Sequence, residues 1–391
     1  METDKTHFET RTIHGGTPVA GDADKALSPP IHMSSTFTFD SLADAEKVMD
    51  FASEDYVYTR GNNPTLRLFE QRMSELEEGT SAVAFSSGMA AIASVLLALA
   101  RKGDTVLIHK TLYGSSYTLA TELLPKYGIT TEICDLSDAG TAEETIGRLK
   151  PEVIFFETPC NPDLILIDIR QVCRNAEQCG ASVVVDNTFA TPYLQNPLKL
   201  GADVSVHSAT KYICGHGDAV GGVAVFTDSD LAARVKFGYM CELGGVMSPF
   251  NAWLMLRGLK TLHVRMERHC SNAQQVAEYL EQHPKVNKVF YPKTTGQGEQ
   301  MRGFGGVVSF TVTGGMDAAR RCLDGFSMAK IAVSLGDCET LVQLPAAMTH
   351  RGYDREALIQ FGLSEDLIRI SVGIEHIEEI IKDVGQALDQ V

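Results

Sequence analysis

Three short stretches place chemically capable residues directly after runs that should form β-strands. The first is Ser86-Ser87-Gly88-Met89, between an apolar run at 82–85 and a twelve-residue apolar run at 89–100. Gly88 lets backbone approach a ligand closely, and the first turn of a helix offers unpaired N–H groups and the positive end of its dipole, which suits a phosphate. A plain strand-to-helix turn reads the same way, and the glycine spacing of a dinucleotide or P-loop fingerprint is missing. The second is Asp186, which ends the run Val183-Val184-Val185 and precedes Asn187-Thr188. A carboxylate at the mouth of a buried strand is costly unless paired; a helix cap or a structural salt bridge would account for it too. The third is His207-Ser208-Ala209-Thr210-Lys211-Tyr212, followed by Gly215-His216-Gly217-Asp218. A lysine in such a loop reads either as a nucleophilic amine or as an ordinary solvated lysine.

Together the three sets are more specific than any one of them. They supply a phosphate cradle, a carboxylate and a lysine, the groups that pyridoxal phosphate requires: covalent attachment, a partner for the pyridine nitrogen, and anion donors. His207 and His216 are close in sequence, but no further Cys or His completes a zinc spacing, so no metal is expected.

The surrounding elements must put these residues at strand ends, where open α/β sheets bind ligands. Strands are predicted at 82–85, 105–108, 130–134, 153–157, 182–186, 204–207 and 222–226, with helical stretches between them. That alternation implies an α/β fold with a mostly parallel sheet in a large domain. Ser248-Pro249 is a good helix start and opens a long helical segment towards Gln282 with a break near Gly258. Strands at 307–311 and 367–372 and helices at 316–325 and 377–388 then give a smaller α+β C-terminal domain. The acidic stretch 375–383 reads as a solvated helix start. Residues 1–62 lack this rhythm and read as an N-terminal arm lying on a neighbouring subunit, followed by a large domain at 63–250 and a C-terminal domain at 251–391.

Composition limits the partners. The net charge of −16 argues against nucleic acid or an anionic membrane, either of which needs a basic face. The run at 89–100 is too short for a bilayer span, which needs about 20 residues. Nine cysteines, an odd number with no CxxC pair and no secretory leader, read as reduced thiols and a cytoplasmic location.

The motifs resemble those of the transsulfuration enzymes, the fold-type I pyridoxal-phosphate enzymes of cysteine and methionine metabolism. The matching stretches are Ser-Ala-Thr-Lys-Tyr (208–212) with Gly-His-Gly-Asp (215–218), Val-Val-Asp-Asn-Thr-Phe (184–189), Tyr-Thr-Arg-Gly-Asn-Asn-Pro-Thr (58–65), Ser-Ser-Gly-Met (86–89), Arg-Gly-Leu-Lys-Thr-Leu (257–262) and Leu-Ile-Arg-Ile-Ser-Val-Gly (367–373). The resemblance implies that Lys211 carries the cofactor and shuttles protons, Asp186 pairs with the pyridine nitrogen, and Tyr113 stacks on the ring and serves as acid or base. It implies phosphate contacts from Gly88, Met89, Ser208 and Thr210, and from Tyr58 and Arg60 of a neighbouring subunit. Arg369 would bind the substrate carboxylate with Ser334 nearby. It also implies a homotetramer, a dimer of dimers with shared active sites, acting on a small sulfur amino acid.

Members of this family carry out β-elimination, γ-elimination or γ-replacement. Val333 before Ser334-Leu335-Gly336, and Val57 before Tyr58, stand where cystathionine-specific members often carry glutamate. Two valines favour an uncharged tail such as a thiomethyl group and resemble the methionine γ-lyase branch. Ser115 and Cys241 depart from that branch, which typically has a cysteine and a Lys-Asp pair at these places, and the stretch 291–300 looks shortened. The expected reaction is γ-elimination, with homocysteine or cystathionine cleavage, γ-replacement, and a non-catalytic cofactor-binding regulator as the alternatives.

Overall fold

The computed structural model describes residues 6–16, 26–50, 52–293, 296, 299–353, 356, 358 and 361–391; parts of the expected arm and of the stretch 291–300 lie outside these. Seven strands form one sheet: β1 (Ser81–Phe85), β2 (Thr105–His109), β3 (Thr130–Cys134), β4 (Val153–Glu157), β5 (Ser182–Asp186), β6 (Val204–His207) and β7 (Gly222–Phe226). Their order is β1-β7-β6-β5-β4-β2-β3, and the pairs from β6 through β3 are parallel while β7 is antiparallel to both its neighbours. Every residue of β4 and β7 is buried, as expected for strands covered on both faces. The parallel strands therefore end together, and the loops after β4, β5 and β6 open on one edge.

Helix boundaries near that edge follow capping chemistry. Ser87 caps the helix Gly88–Leu99 by accepting from the Ala90 N–H at 3.1 Å. Ser248, with Pro249 in the first turn, caps the helix Pro249–Leu259. The break in the long helical segment falls at Lys260-Thr261, after which the helix Leu262–Gln282 runs on. Leu262 and Met266 of that helix pack in a core with Met255 and Tyr212, whereas Ala273, Val276 and Leu280 pack in a core with Val308 and Ile370. This one helix thus serves both sheets.

The second sheet has the order β10-β11-β12-β9-β8, with β8 Val286–Phe290, β9 Val307–Val312, β10 Lys330–Ile331, β11 Leu341–Gln343 and β12 Ile368–Ser371. In β12 the sequence Ile-Arg-Ile-Ser alternates. Ile368 and Ile370 join the core under the helices Gly315–Asp324 and Ile377–Asp389, so Arg369 and Ser371 must face the other way, towards the first sheet.

The acidic stretch 375–383 is a solvated helix start only at Glu378 and Glu379, which are exposed in the first turn of the helix Ile377–Asp389; its two outer acids are not. Asp383 is 4 % exposed and accepts from the N–H groups of Ser327, Met328 and Ala329. Glu375 accepts from the N–H and hydroxyl of Thr340 at 2.6 and 2.8 Å. Both carboxylates bind backbone from sequence-distant loops, which charge density alone does not reveal. Ahead of the first sheet, the short helices Phe8–His14 and Leu42–Met49 and an isolated bridge between Thr36 and Tyr58 order the described parts of the arm.

Candidate active site

A cavity of about 250 Å³ lies where the edge of the first sheet meets the polar face of the second. Lys211 enters it from the loop after β6. Its Nζ donates to Ser334 Oγ at 2.8 Å. Burial, reinforced by the charge of Arg369, lowers the Lys211 pKa to about 8, with Asp337 opposing the shift. About a tenth of the amine is therefore neutral at pH 7.

Arg369 reaches in from β12. It is 2 % exposed, and burial lowers its pKa to about 10, which leaves it charged at neutral pH. Its Nη1 donates to Asn161 Oδ1 at 2.7 Å and its Nη2 to the Ser334 carbonyl at 2.8 Å. With the Gln343 amide oriented by these neighbours, its oxygen accepts from Nη2 at 3.0 Å and Nε at 3.2 Å. Ser334 has φ of 100°, a left-handed backbone that is strained for a side-chain-bearing residue. That conformation lets one residue present its hydroxyl to Lys211 and its carbonyl to Arg369.

Asp186 and Glu157 stand at the same register on adjacent parallel strands. Asp186 accepts from the Thr188 N–H at 2.9 Å, and Thr188 Oγ1 accepts from the Ser208 N–H at 2.8 Å, tying the loops after β5 and β6 together. Burial raises the pKa of both acids. Glu157 is pushed furthest because it also faces the charge of Asp186, whereas hydrogen bonds from Thr188 and the charge of His207 favour ionised Asp186. Of the two, Glu157 is the acid more strongly biased to its protonated form and Asp186 the one whose surroundings favour the charge.

Ser87, Gly88 and Met89, at the start of a twelve-residue helix, line the cavity together with Ser208 and Thr210. Gly88 is required there, because a Cβ on it would lie 2.8 Å from Ser208 Cβ. Tyr113 and Val333 complete the walls with Ile92, Phe189, Val220 and Leu335. This donor set fits pyridoxal phosphate: helix-start N–H groups and hydroxyls for a phosphate, a carboxylate for a ring nitrogen, and a buried amine for an aldehyde.

The structure thus brings together Gly88, Met89, Tyr113, Asp186, Ser208, Thr210, Lys211, Val333, Ser334 and Arg369. Five expected residues lie elsewhere. Val57, Tyr58, Arg60 and Cys241 line a second cavity of about 720 Å³, where Cys241 Sγ donates to the Arg60 carbonyl at 3.3 Å. Ser115 is exposed on the helix Gly114–Thr118. Sequence reasoning passed over Glu157, Asn161 and Gln343. Glu157 could have been found, since it ends a predicted strand as Asp186 does; Asn161 and Gln343 are placed only by tertiary contact with Arg369.

Comparison with known proteins points to the same cofactor. The family described as Cys/Met metabolism PLP-dependent enzyme matches residues 9–389. An L-methionine gamma-lyase of Fusobacterium nucleatum subsp. polymorphum is 42% identical, with 100% of each chain covered. A crystal structure of cystathionine gamma synthase from Xanthomonas oryzae pv. oryzae in complex with cystathionine superposes with a TM-score of 0.92 at 37% identity, covering 98% of each chain. A putative O-acetylhomoserine (thiol)-lyase of Campylobacter jejuni subsp. jejuni, which carries an N′-pyridoxyl-lysine-5′-monophosphate, superposes with a TM-score of 0.93 at 31% identity, covering 98% of this chain and 100% of the other. The lysine, the carboxylate and the helix-start donors suit the cofactor of this family, and the chain belongs to the Cys/Met metabolism PLP-dependent enzymes.

Proposed function

We propose that this enzyme catalyses γ-elimination on a sulfur amino acid with an uncharged tail, L-methionine foremost: methionine and water give methanethiol, 2-oxobutanoate and ammonia. One observation carries the choice of substrate. The only carboxylates that line the Lys211 cavity among the described residues are Glu157 and Asp186, and the other walls are largely apolar. The second ammonium group of cystathionine would find no partner along Val333, and an unpaired buried charge is costly.

When bound, pyridoxal phosphate supplies an electron sink for the charge left at the substrate carbon. The residues do the rest. Arg369, held on three sides by Asn161, Ser334 and Gln343, has its fork set for the α-carboxylate. Lys211, with its lowered pKa, takes the proton from Cα and then one from Cβ. Tyr113, at the cavity wall, gives a proton to the departing sulfur. Asp186 would pair with the ring nitrogen, and the Gly88–Met89 turn with Ser208 and Thr210 would hold the phosphate.

Tyr58 and Arg60 are exposed and far from serving their own Lys211 cavity, whose cationic side chains among the described residues are Lys211 and Arg369. Neither cation is free for a phosphate, so we place Tyr58 and Arg60 at the phosphate of a second copy, in a dimer that pairs into a tetramer. No helix of the described residues is long and apolar enough to cross a membrane; with nine free thiols, this supports a cytoplasmic enzyme. Parallel assays of methionine, homocysteine, cystathionine and O-acetylhomoserine test the substrate reading. A strong preference for cystathionine would overturn it.

A further inference from the structure

The turn that carries Tyr113 is gripped by a segment that follows β11. Tyr353 Oη accepts the Leu112 N–H at 3.1 Å and donates to the Leu112 carbonyl at 3.0 Å. One phenol therefore satisfies both backbone groups of the residue preceding Tyr113. Tyr353 is 4 % exposed, and burial pushes its pKa far above that of free tyrosine, so it remains a donor at any working pH. Its ring stacks on Tyr117 at 3.9 Å and 22°, on the helix that begins just after Tyr113.

The neighbours of Tyr353 make related contacts. His350 is buried, and burial lowers its pKa to about 4, so it is neutral; its Nε2–H donates to the Asn161 carbonyl at 3.2 Å. Gly114 packs so closely under Thr349 that a Cβ there would overlap the Thr349 carbonyl oxygen. Tyr113 itself is 37 % exposed. Its placement in the cavity therefore rests on the backbone at Leu112 and Gly114.

We propose that Tyr353 is a positioning residue for the reaction: by fixing the Leu112 peptide it sets where the Tyr113 side chain stands in the cavity, without touching substrate itself. This rests on the reading of Tyr113 as the residue that protonates the leaving group. A displacement of about 1 Å at a reacting group costs roughly a hundredfold in rate, so loss of both hydrogen bonds should be visible in turnover.

The test is Tyr353→Phe, which keeps the ring and its stacking. In the holoenzyme without substrate, hydrogen exchange of the peptide 111–118 should accelerate about tenfold or more while the peptides of the second sheet stay unchanged. For methionine, kcat should fall about 10- to 100-fold with KM within about threefold, because the Arg369 clamp is intact. In a Tyr113→Phe background the same substitution should cost less than about threefold, since a residue acting through Tyr113 has nothing left to position. Unchanged exchange at 111–118, acceleration spread through the whole chain, or an equal kinetic cost in both backgrounds would overturn the proposal. Tyr113→Phe alone tests the underlying reading: unchanged turnover there would remove the role of Tyr113, whereas unchanged exchange in Tyr353→Phe would remove the clasp.

Discussion

Lys211 is a buried amine whose proton is weakly held. Apolar surroundings disfavour the ammonium, the Arg369 charge disfavours it further, and the pKa stands near 8. The neutral, nucleophilic form therefore grows about tenfold per pH unit below pH 8 and levels off above it. Capture of pyridoxal phosphate by the apoenzyme, followed by absorbance, should show that midpoint; one near the ordinary lysine value would contradict the burial described. The acid pair gives a second test at this scale. Because burial and the Asp186 charge disfavour ionised Glu157 more strongly, the isosteric Glu157→Gln should keep kcat/KM within about threefold, while Asp186→Asn should lower it about a hundredfold or more by removing the charge proposed to serve the ring nitrogen. The reverse ranking in steady-state kinetics would place the charge on Glu157 instead.

Elements position these groups by strand ends and tight turns. Gly114→Ala would press a methyl group into the Thr349 carbonyl, and the Tyr113 turn must shift to relieve it. The expected loss is about tenfold or more in kcat, with cofactor content unchanged by absorbance. Asp383 offers a test remote from chemistry. Burial raises its pKa, but the N–H groups of Ala329, Ser327 and Met328 outweigh this, and the net shift is downward from 3.8. A lowered carboxylate pKa means stabilisation present above the unfolded value and lost as pH falls through the folded one. Asp383→Asn should therefore cost about 1–3 kcal/mol at pH 7, with the difference shrinking below about pH 4 in urea titrations.

Much of this scale was legible in the sequence. The inner strands of the first sheet were visible because doubly covered strands are continuous apolar runs, as in Val183-Val184-Val185, whereas the exposed edge strand Thr130–Cys134 was marked by its β-branched residues and its place in the strand–helix rhythm. The rule that ligands sit at strand ends then located Lys211 and Asp186. Gln343 and Asn161 escaped because nothing local marks them; each matters only through Arg369, which lies 208 residues from Asn161. The half-buried Glu375 and the buried Asp383 were misread for the same reason, since their partners are loops far away in the chain.

At the scale of the whole molecule, the expected site residues fall into two separate cavities. Tyr58 and Arg60 belong to a cavity distinct from that of Lys211, so a dimer is expected to assemble each complete site from two chains. Lys211→Ala and Arg60→Ala variants, each weak or inactive alone, should complement when unfolded and refolded together. Random mixing gives half heterodimers with one intact site of two, so roughly a quarter of wild-type activity should return. No recovery would show that one chain suffices. The acidity of the chain, with net charge −16, still leaves room for a locally basic site built from Lys211, Arg369 and a neighbour's Arg60. The central claim is the reaction itself, and it is tested most directly by measuring kcat/KM for release of 2-oxobutanoate from methionine, homocysteine, cystathionine and O-acetylhomoserine side by side. Methionine should give the highest value, with methanethiol and 2-oxobutanoate appearing in equal amounts. A dominant value for cystathionine, or thioether formation without the oxo acid, would contradict it.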